Sequence, residues 1–277
     1  MESKELTIVI VTFKSEEKIS NCLRSISRET PVLVIENSNN VNFKKDIENN
    51  FQNVKCILTG ENKGYSFANN VGLRLVKTKY ALVLNPDTIL DKKAIKNFFY
   101  SSEIVNDFWL LGPANDQGNS LDYRKNNLQE VDNLKGFAIF FNMSKFDNEY
   151  FDENFFLFFE EIDLCKRVKK NQGKIYLDCN IIIKHDGASS VSKDNPIELE
   201  KNRNWHWMWS TFYFHRKYRG FFLAFIITLP KLLSAFLKTL FYFLIFNSKK
   251  RDIYLSRLSG IFNSIIGKKS WYRPALH

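Results

Sequence analysis

Two segments place a possible metal ligand directly after an apolar run. Asp87 follows Tyr80–Leu84 in YALVLNPDTIL, where Pro86 fixes the turn, and His185 follows three isoleucines in IIIKHDGASS. A carboxylate and a neutral imidazole both bind Mn²⁺-like ions, and Mg²⁺ needs few protein carboxylates when phosphates and waters complete its shell. Taken alone, Asn-Pro-Asp is a common turn and a lone histidine is usually structural. The two segments therefore predict either a cation site or two ordinary strand ends.

A third segment, FFLFFEEIDLCKRVKKNQG, gathers acids at the start of a predicted amphipathic helix. Glu160, Glu161 and Asp163 follow five apolar residues that we expect to be buried. The helix dipole favours acids in a first helical turn, which is a purely structural explanation. Adjacent carboxylates at the mouth of a pocket also provide a general base, whose pKa burial and like charge would raise. The pattern alone does not choose between the two explanations.

A fourth segment, ENKGYSFANNVG, is rich in glycine and asparagine and leads into a helix predicted to begin near Asn69. Gly64 permits close backbone approach, and the free N–H groups at a helix start favour an anion such as a pyrophosphate. The segment is not G-x-G-x-x-G, so it gives little support to a dinucleotide site. A capped helix start is the alternative explanation.

Strands and helices are predicted to alternate over residues 6 to 111. These elements must position the candidate site residues of the four segments. LTIVIVTF, VLVIEN, VKCIL and YALVLN are predicted strands separated by polar, helix-like segments. Such an order implies an α/β fold with a mostly parallel sheet, whose ligands bind beyond the carboxyl ends of the strands. Thr12, Glu36 and Asp87 lie at such ends. Further along, GFAIFF and KIYLDCNIII are predicted strands, with a helix predicted over Glu160–Asn171.

Composition predicts a globular protein with one large domain, alone or with an appendage. Of the 277 residues, 44% are hydrophobic and 15% aromatic, which excludes a disordered protein. The four cysteines form no C-x-x-C pair, so neither a disulfide framework nor a structural zinc site is predicted, and reduced cytosol is the expected compartment. The apolar run in MESKELTIVIVTFKS is too short for a signal peptide and is predicted to be the first strand.

The net charge of +10 is concentrated in the last part of the sequence. Residues 201–277 contain 14 Lys and Arg and one acid, a net +13, which leaves −3 for residues 1–200. A basic segment rich in Phe, Leu and Ile favours anionic lipid over nucleic acid as a partner. We therefore predict a folded domain over 1–200 and a helical, membrane-associating tail over 201–277.

Within this tail, FFLAFIITLPKLLSAFLKTLFYFLIF at 221–246 is long enough to cross a bilayer. Pro230, Lys231 and Lys238 interrupt it, and a central Lys costs roughly 3 kcal/mol on insertion scales. Lys231, Ser234 and Lys238 share one helical face, which is typical of a helix lying in the headgroup plane. Whether the segment lies on or crosses the membrane stays open, and a helical pair packed onto the protein's own core or onto a partner is a further alternative.

Six motifs, in order along the chain, resemble those of the family 2 inverting glycosyltransferases of the GT-A fold, especially the rhamnosyltransferase-like branch. They are VIVTFKS, VIENSNN, NKGYSFANNVG, LNPDT, FFEEIDLCKR and KHDGASS, and they extend from Leu6 to about Ser190. The resemblance implies a GT-A fold and transfer of a sugar from a dTDP- or UDP-sugar, with dTDP-rhamnose as one candidate. It also implies a glycan or lipid-linked acceptor in bacterial polysaccharide biosynthesis, met at the cytoplasmic side of the plasma membrane.

The resemblance further implies roles for individual residues. Glu161 corresponds to the catalytic base of the family, and Asp87 and His185 correspond to ligands of a divalent cation, Mn²⁺ or Mg²⁺. Glu160 and Asp163 would orient the acceptor. The donor-binding residues that it implies are Thr12, Phe13, Glu36, Asn62, Gly64, Asn69, Asn85 and Asp87.

Three departures from the family pattern bear on these roles. Asn85 replaces the first acid of the D-x-D metal motif, so cation binding depends on Asp87, His185 and the donor phosphates. Glu36 replaces the base-contacting Asp, which leaves the choice between uracil and thymine open. Glu161 replaces an Asp, so the pocket must accommodate a longer side chain.

Two other functions stay open from the sequence. A noncatalytic adaptor would bind a membrane or nucleic acid through the basic tail. A nucleotidyltransferase on a similar sheet would release pyrophosphate from a nucleoside triphosphate.

Overall fold

The computed structural model describes residues 4–114, 127–185 and 196–273. Within them, strands and helices alternate over the first hundred positions, as the apolar pattern predicts. The strands are β1 (Leu6–Thr12), β2 (Val32–Glu36), β3 (Val54–Leu58), β4 (Tyr80–Leu84), β5 (Thr88–Leu90), β6 (Phe108–Pro113), β7 (Leu128–Glu130), β8 (Ala138–Asn142), β9 (Lys174–Asp178) and β10 (Ile183–His185). The helices are α1 (Glu16–Arg24), α2 (Val41–Asn50), α3 (Tyr65–Leu75), α4 (Ala94–Ile104), α5 (Glu160–Lys170), α6 (Pro196–Leu244) and α7 (Ser248–Ile265).

Eight of these strands form one sheet in the order β3-β2-β1-β4-β8-β6-β9-β7. β1 pairs in parallel with β2 and β4, and β2 pairs in parallel with β3, whereas β8 runs antiparallel between β4 and β6. The predicted α/β fold with a large, mostly parallel sheet is confirmed. Thr12 is paired with Glu36 in the β1–β2 register, so these two predicted site residues lie side by side where their strands end.

β1 shows how the sheet is buried on both faces. All seven of its residues are buried, with Ile8 and Ile10 in one hydrophobic cluster and Val9 and Val11 in another. A strand covered on both faces has no side turned to water, which explains its uninterrupted apolar run. α3 packs closely against this strand because Gly72 lacks a β-carbon, which would collide with Val9.

The prediction of a single strand over KIYLDCNIII is wrong, because the segment forms two strands. β9 ends at Asp178, and a turn in which the Asn180 N–H donates to Asp178 Oδ1 at 2.8 Å redirects the chain. β10 then pairs antiparallel with β5 in a separate two-stranded sheet, where His185 is the partner of Thr88. This second pairing brings His185 to the residues that follow Asp87.

By its contacts the chain divides into two compact units. The first contains the sheet, with the described residues up to Asp152 and from Glu161 to His185. The second contains α6, α7 and the short segment Glu153–Glu160. α6 is interrupted at Gly220, whose φ of 78° and ψ of 171° are not helical and suit a residue without a β-carbon.

A small hydrophobic core holds the helices of the second unit together. Its buried members are Met208, Phe212, Ala224 and Ile261. Nearby, the buried His206 donates from Nε2 to the Tyr272 carbonyl oxygen at 2.8 Å, and its Nδ1 accepts from the Ser270 hydroxyl at 2.8 Å. Burial lowers the pKa of His206 to about 3, so this imidazole is neutral.

The part of α6 after Gly220 exposes most of its apolar side chains. Among the described residues, α6 is the one helix long and apolar enough to cross a membrane, judged by length and composition, and 17% of its most apolar 18-residue window is buried. The buried positions are small residues, Ala224, Thr228 and Ala235. The described residues therefore leave most of the apolar surface of this segment uncovered. The most exposed apolar side chains in it are Phe222, Ile226, Leu237, Phe243, Leu244 and Phe246.

Candidate active site

Asp87 lies in a tight turn directly after β4. The Thr88 N–H donates to the Asn85 carbonyl oxygen at 3.3 Å, and the Thr88 hydroxyl donates to the same oxygen at 2.8 Å. Pro86 occupies the second position of this turn, where its restricted φ is favourable. The turn leaves the Asp87 side chain 1% exposed, and its Oδ1 atom has no hydrogen-bond partner among the described residues. A buried carboxylate oxygen without a hydrogen bond is costly, which is a reason to expect a ligand there.

His185 is the side chain that approaches this oxygen. Its Nε2 lies 3.3 Å from Asp87 Oδ1 and 3.4 Å from Asn85 Nδ2. The imidazole is stacked on the Phe137 ring, with ring centroids 4.8 Å apart and planes 11° from parallel, which fixes its orientation. The rest of the KHDGASS motif lies outside the described residues.

The donor set at Asp87 and His185 fits a divalent cation whose remaining ligands come from elsewhere. Among the described residues, no three His, Cys, Asp or Glu side chains are grouped closely enough to hold a metal by themselves. One carboxylate and one imidazole are compatible with Mn²⁺ or Mg²⁺ if phosphate oxygens and waters complete the shell. The unsatisfied Asp87 Oδ1 is the structural feature that favours such an ion.

Tyr65, at the start of α3, connects this cluster to the opposite side of the site. Its hydroxyl lies 3.1 Å from Asn85 Oδ1 and 3.0 Å from the Gly136 carbonyl oxygen, and it can donate to either acceptor. Gly136 in turn lies under Glu161, since a β-carbon at Gly136 would be 3.6 Å from the Glu161 Cβ and 3.7 Å from its carboxyl carbon. Contacts therefore run from Asp87 through His185, Asn85 and Tyr65 to Gly136, and the Glu161 side chain occupies the space next to this glycine.

Glu161 is held in a partly buried position. Burial raises the pKa of the Glu161 carboxyl above its ordinary value, and the charge of Lys135 partly opposes this effect. A carboxylate with a raised pKa is a stronger base than an exposed glutamate, and this strength suits the removal of a proton from a hydroxyl group. The environment of Glu161 is therefore chemically suited to the role that the resemblance implies.

The two neighbouring acids differ from Glu161 in their surroundings. Asp163 is completely buried and accepts from Arg167 Nε at 2.8 Å, and the same guanidinium also donates to the Tyr150 carbonyl oxygen. Asp163 thus fixes α5 to the preceding loop, so it stays a positioning candidate. Glu160 is buried at the first position of α5 and belongs to the second unit.

Thr12 and Glu36 form a hydrogen-bonded pair at the ends of β1 and β2. The Thr12 hydroxyl donates to Glu36 Oε2 at 2.6 Å, and Ser38 donates to the other carboxylate oxygen. Burial raises the pKa of Glu36, and the hydrogen bonds from Ser38 and Thr12 oppose that rise. The pair is positioned by the strand register, and its contact with a donor base stays a prediction.

Asn37 organises the loop that contains Gly64, and the sequence analysis missed it. Its Nδ2 donates to Asn62 Oδ1 at 3.0 Å and to the Gly64 carbonyl oxygen at 3.2 Å, while its Oδ1 accepts from the Lys63 N–H at 3.0 Å. Gly64 has a φ of 94° and precedes α3, which begins at Tyr65 and not near Asn69 as predicted. Its position directly after β2, at the carboxyl end of a strand, is the sequence feature that could have identified Asn37 as a site residue.

The remaining two predicted donor residues have different surroundings. Phe13 is partly exposed, and its N–H donates to the Ser15 hydroxyl at 3.4 Å. Asn69 is completely buried in α3, where its Nδ2 donates to the Tyr65 carbonyl oxygen at 3.0 Å. The Asn69 Nδ2 group thus bonds within the helix, while its buried Oδ1 has no hydrogen-bond partner among the described residues, and its contact with a donor stays a prediction. Tyr65 and Asn37 are candidate site residues in addition to the predicted ones.

The amino-acid sequence matches the family described as Glycosyl transferase family 2 over residues 7–162, which is more than half of the chain. The chain belongs to the family 2 glycosyltransferases. The family inferred from the motifs is thereby confirmed, and the rhamnosyltransferase-like branch stays a prediction.

Two curated relatives of this family 2 glycosyltransferase are, by their names, a hexosyltransferase of glycan biosynthesis and a teichoic acid polymerase. The low-salt glycan biosynthesis hexosyltransferase Agl10 of Haloferax volcanii is 28% identical over 193 residues, covering 60% of this chain and 62% of that protein. The teichoic acid poly(glycerol phosphate) polymerase of Staphylococcus epidermidis is 31% identical over 117 residues, covering 39% of this chain and 16% of that protein. The chain matches less than two thirds of either relative's length.

Solved structures share the fold. The crystal structure of S. aureus TarS 1-349 superposes with a TM-score of 0.52 at 15% identity, covering 97% of this chain and 93% of that chain. A crystal structure of the same TarS segment in complex with UDP-GlcNAc gives a TM-score of 0.51, with the same identity and coverage. At this level of identity, the likeness shows a common GT-A-like fold.

Proposed function

We propose that this protein transfers a sugar from a nucleotide-sugar donor to a hydroxyl group of its acceptor, with inversion at the anomeric carbon. The observation that carries this proposal is the set of contacts from Asp87 and His185 through Asn85 and Tyr65 to Gly136, a glycine that Glu161 adjoins. A candidate cation site and a candidate base on one connected set of residues are what transfer from a nucleoside diphosphate needs.

Glu161 acts as the general base in this proposal. Its carboxylate removes the proton of the acceptor hydroxyl while that oxygen bonds to the anomeric carbon on the face opposite the diphosphate. The bond from the anomeric carbon to the diphosphate oxygen breaks, and its electron pair leaves with the nucleoside diphosphate. A diphosphate departs without protonation, so a second carboxylate acting as acid is not required, unlike in a hydrolase with a separated carboxylate pair.

The donor is bound by the strand ends and by the loop before α3. Asp87 and His185 would hold a divalent cation, which when bound neutralises charge on the diphosphate. The free N–H groups that follow Gly64 favour an anion at the start of α3. Thr12 and Glu36 contact the nucleobase of the donor. The hydrogen bonds of Asn37 to Asn62 and Gly64 hold the loop that binds the nucleotide.

A dTDP- or UDP-sugar is the proposed donor, with dTDP-rhamnose as one candidate. The rhamnose candidate follows from the branch that the motifs resemble, including Asn85 in place of an acid. UDP-GlcNAc is a second candidate donor, because a protein of similar fold was crystallised in complex with it. Glu36 is one methylene longer than the Asp that the family pattern expects, so a comparison of uracil and thymine donors is informative.

The proposed acceptor is a glycan or a lipid-linked glycan at the cytoplasmic side of the plasma membrane. Residues 201–277 would hold the enzyme there peripherally on anionic lipid, while residues 1–200 form the catalytic domain. Exposed apolar side chains after Gly220 and the basic residues around them support this location.

A donor panel tests the catalytic part of the proposal. The protein is incubated with UDP- and dTDP-sugars and Mn²⁺ or Mg²⁺, and two quantities are measured, the shift in melting temperature and the release of nucleoside diphosphate. We expect one donor to stabilise the protein only with the cation present. Binding of no nucleotide sugar would contradict the proposal, and release of pyrophosphate from free triphosphates would favour a nucleotidyltransferase.

Liposome sedimentation tests the membrane part. Intact protein should be retained by liposomes with acidic lipids and released by salt, whereas a full-length L237Q/F241Q variant should be retained less. These two side chains are 62% and 55% exposed, so their replacement leaves the protein's own core intact. Equal retention of both proteins, or retention by neutral liposomes at high salt, would argue against attachment through this surface.

A further inference from the structure

The five residues before the acids of α5, which we call the phenylalanine turn (Phe155–Phe159), have an unusual backbone. Phe158 and Phe159 both have a φ of 71°, in the left-handed region. Bulky residues rarely adopt this conformation, because the β-carbon approaches the following carbonyl oxygen. Two consecutive phenylalanines there persist only when surrounding contacts hold them. The turn leads directly into Glu160 and Glu161.

Aromatic side chains of α6 supply those contacts. The Trp207 ring lies 5.3 Å from the centroid of Phe158 in an edge-on arrangement and 5.3 Å from the centroid of Phe159. Phe214 lies 5.3 Å from Phe159, and the Arg203 guanidinium lies 5.8 Å from the Phe158 ring. The two strained residues are therefore held from one side by three side chains of one helix.

Further contacts hold the first part of the turn. The Ser210 hydroxyl donates to the Leu157 carbonyl oxygen at 2.9 Å. Phe156 stacks on the buried His206 with centroids 4.3 Å apart, and the Arg273 guanidinium lies 3.6 Å from the Phe156 ring centroid. Phe155 packs edge-on against Tyr213 of α6, with ring centroids 4.9 Å apart. Every residue of the phenylalanine turn is thus tied to α6 by a contact named here.

We propose that α6 is a positioning element for the catalytic base, and that Trp207 holds the phenylalanine turn in the strained conformation that sets the start of α5 and the placement of Glu161. The inference rests on the proposed role of Glu161. It gives the second unit a task in the chemical step, in addition to attachment to lipid. Trp207 is suited to this task because its ring contacts both strained residues.

The test compares Trp207→Ala with two matched variants of the full-length protein. Trp207→Phe keeps an aromatic ring at the position. Trp271→Ala removes a similarly exposed tryptophan of the same unit, whose ring contacts and hydrogen bond go to Trp205, Tyr272 and Asn263. Ser210→Ala, which removes one hydrogen bond to the turn, is a milder perturbation in case Trp207→Ala does not fold.

Two measurements are made on each variant. Hydrogen–deuterium exchange of the backbone amides of residues 155–165 measures how stably the phenylalanine turn is held, independently of catalysis. Release of nucleoside diphosphate, with the donor that the panel identifies, gives kcat, KM and the pH profile. For Trp207→Ala we expect exchange to accelerate about tenfold and kcat to fall by up to about 10²-fold, as a misplaced base would require, with KM for the donor unchanged. Ser210→Ala should shift both in the same direction by less.

Trp207→Phe should restore most of kcat, and Trp271→Ala should resemble the wild type. A kcat for Trp207→Ala within twofold of the wild type, despite faster exchange, would overturn the inference, and so would unchanged exchange in both Trp207→Ala and Ser210→Ala. An equal loss in Trp271→Ala would also overturn it, because the effect would then be one of general stability. If the wild type binds no nucleotide sugar, the proposed function fails, while the exchange data still report whether Trp207 holds the turn.

Discussion

Replacing Tyr65 by phenylalanine removes one hydroxyl from the centre of the candidate site. That hydroxyl lies 3.0 Å from the Gly136 carbonyl oxygen and 3.1 Å from Asn85 Oδ1, and one of these two acceptors loses its donor. A hydroxyl has one proton, which corresponds to one net hydrogen bond of about 1 kcal/mol, and leaving a partly buried acceptor unsatisfied raises the cost to about 2 kcal/mol. If the transition state bears this cost, kcat falls about 5- to 30-fold.

The assay is steady-state release of nucleoside diphosphate, together with the melting temperature of each variant. Tyr150→Phe is the matched control, because Tyr150 is a buried tyrosine of the same unit whose hydroxyl has no hydrogen bond to any other described residue. A double-mutant cycle with Asn85→Ala should give less than additive losses, since both changes break the same contact. Wild-type kcat in Tyr65→Phe, or strictly additive losses, would refute the argument that Tyr65 connects the two sides of the site.

Further predictions concern the base, the cation site and the donor loop. Glu161→Gln should lower kcat 10²- to 10⁴-fold with little change in donor affinity, measured by nucleoside diphosphate release, and Glu160→Gln should lower it less. Because burial raises the pKa of Glu161 and the base acts deprotonated, wild-type kcat should decline on acidification at a pH above that of an ordinary glutamate, which a pH–rate profile would show. Asp87→Asn should abolish cation-dependent thermal stabilisation by UDP- or dTDP-sugars, and retention of that stabilisation would exclude Asp87 as a ligand. Gly64→Ala should lower the melting temperature, measured by calorimetry, because its φ of 94° and ψ of 167° cost a residue with a β-carbon about 1–3 kcal/mol.

The strands in the first half of the sheet were predictable, because a strand buried on both faces requires an uninterrupted run of apolar residues in the sequence. The sequences of β1, β2 and β4 are short apolar runs. The ends of these runs were sufficient to predict Thr12, Glu36 and Asp87 as site residues. The path to His185 was not predictable in the same way. The hydrophobic pattern of a strand does not indicate which other strand it pairs with. It therefore could not predict the turn after Asp178 or the pairing of β10 with β5.

Asn37 and Tyr65 were missed for a related reason. Asn37 contacts Asn62 across 25 positions of the chain, and Tyr65 contacts Gly136 across 71 positions. Local spacing cannot reveal such contacts, because they depend on how the strand ends are arranged in the folded sheet. The left-handed backbone of Phe158 is a third case, since tertiary packing holds a conformation that the residue type disfavours.

The neutrality of His206 has a consequence for how the enzyme would respond to acid stress. A ring whose pKa is about 3 gains no charge between about pH 5 and pH 8, so its stack on Phe156 and its two hydrogen bonds are expected to persist over that range. If Glu161 is the base as proposed, acidification would stop turnover by protonating that carboxylate, while the contacts of His206 stay as they are. Activity would return as soon as the cell recovered its pH, without a refolding step.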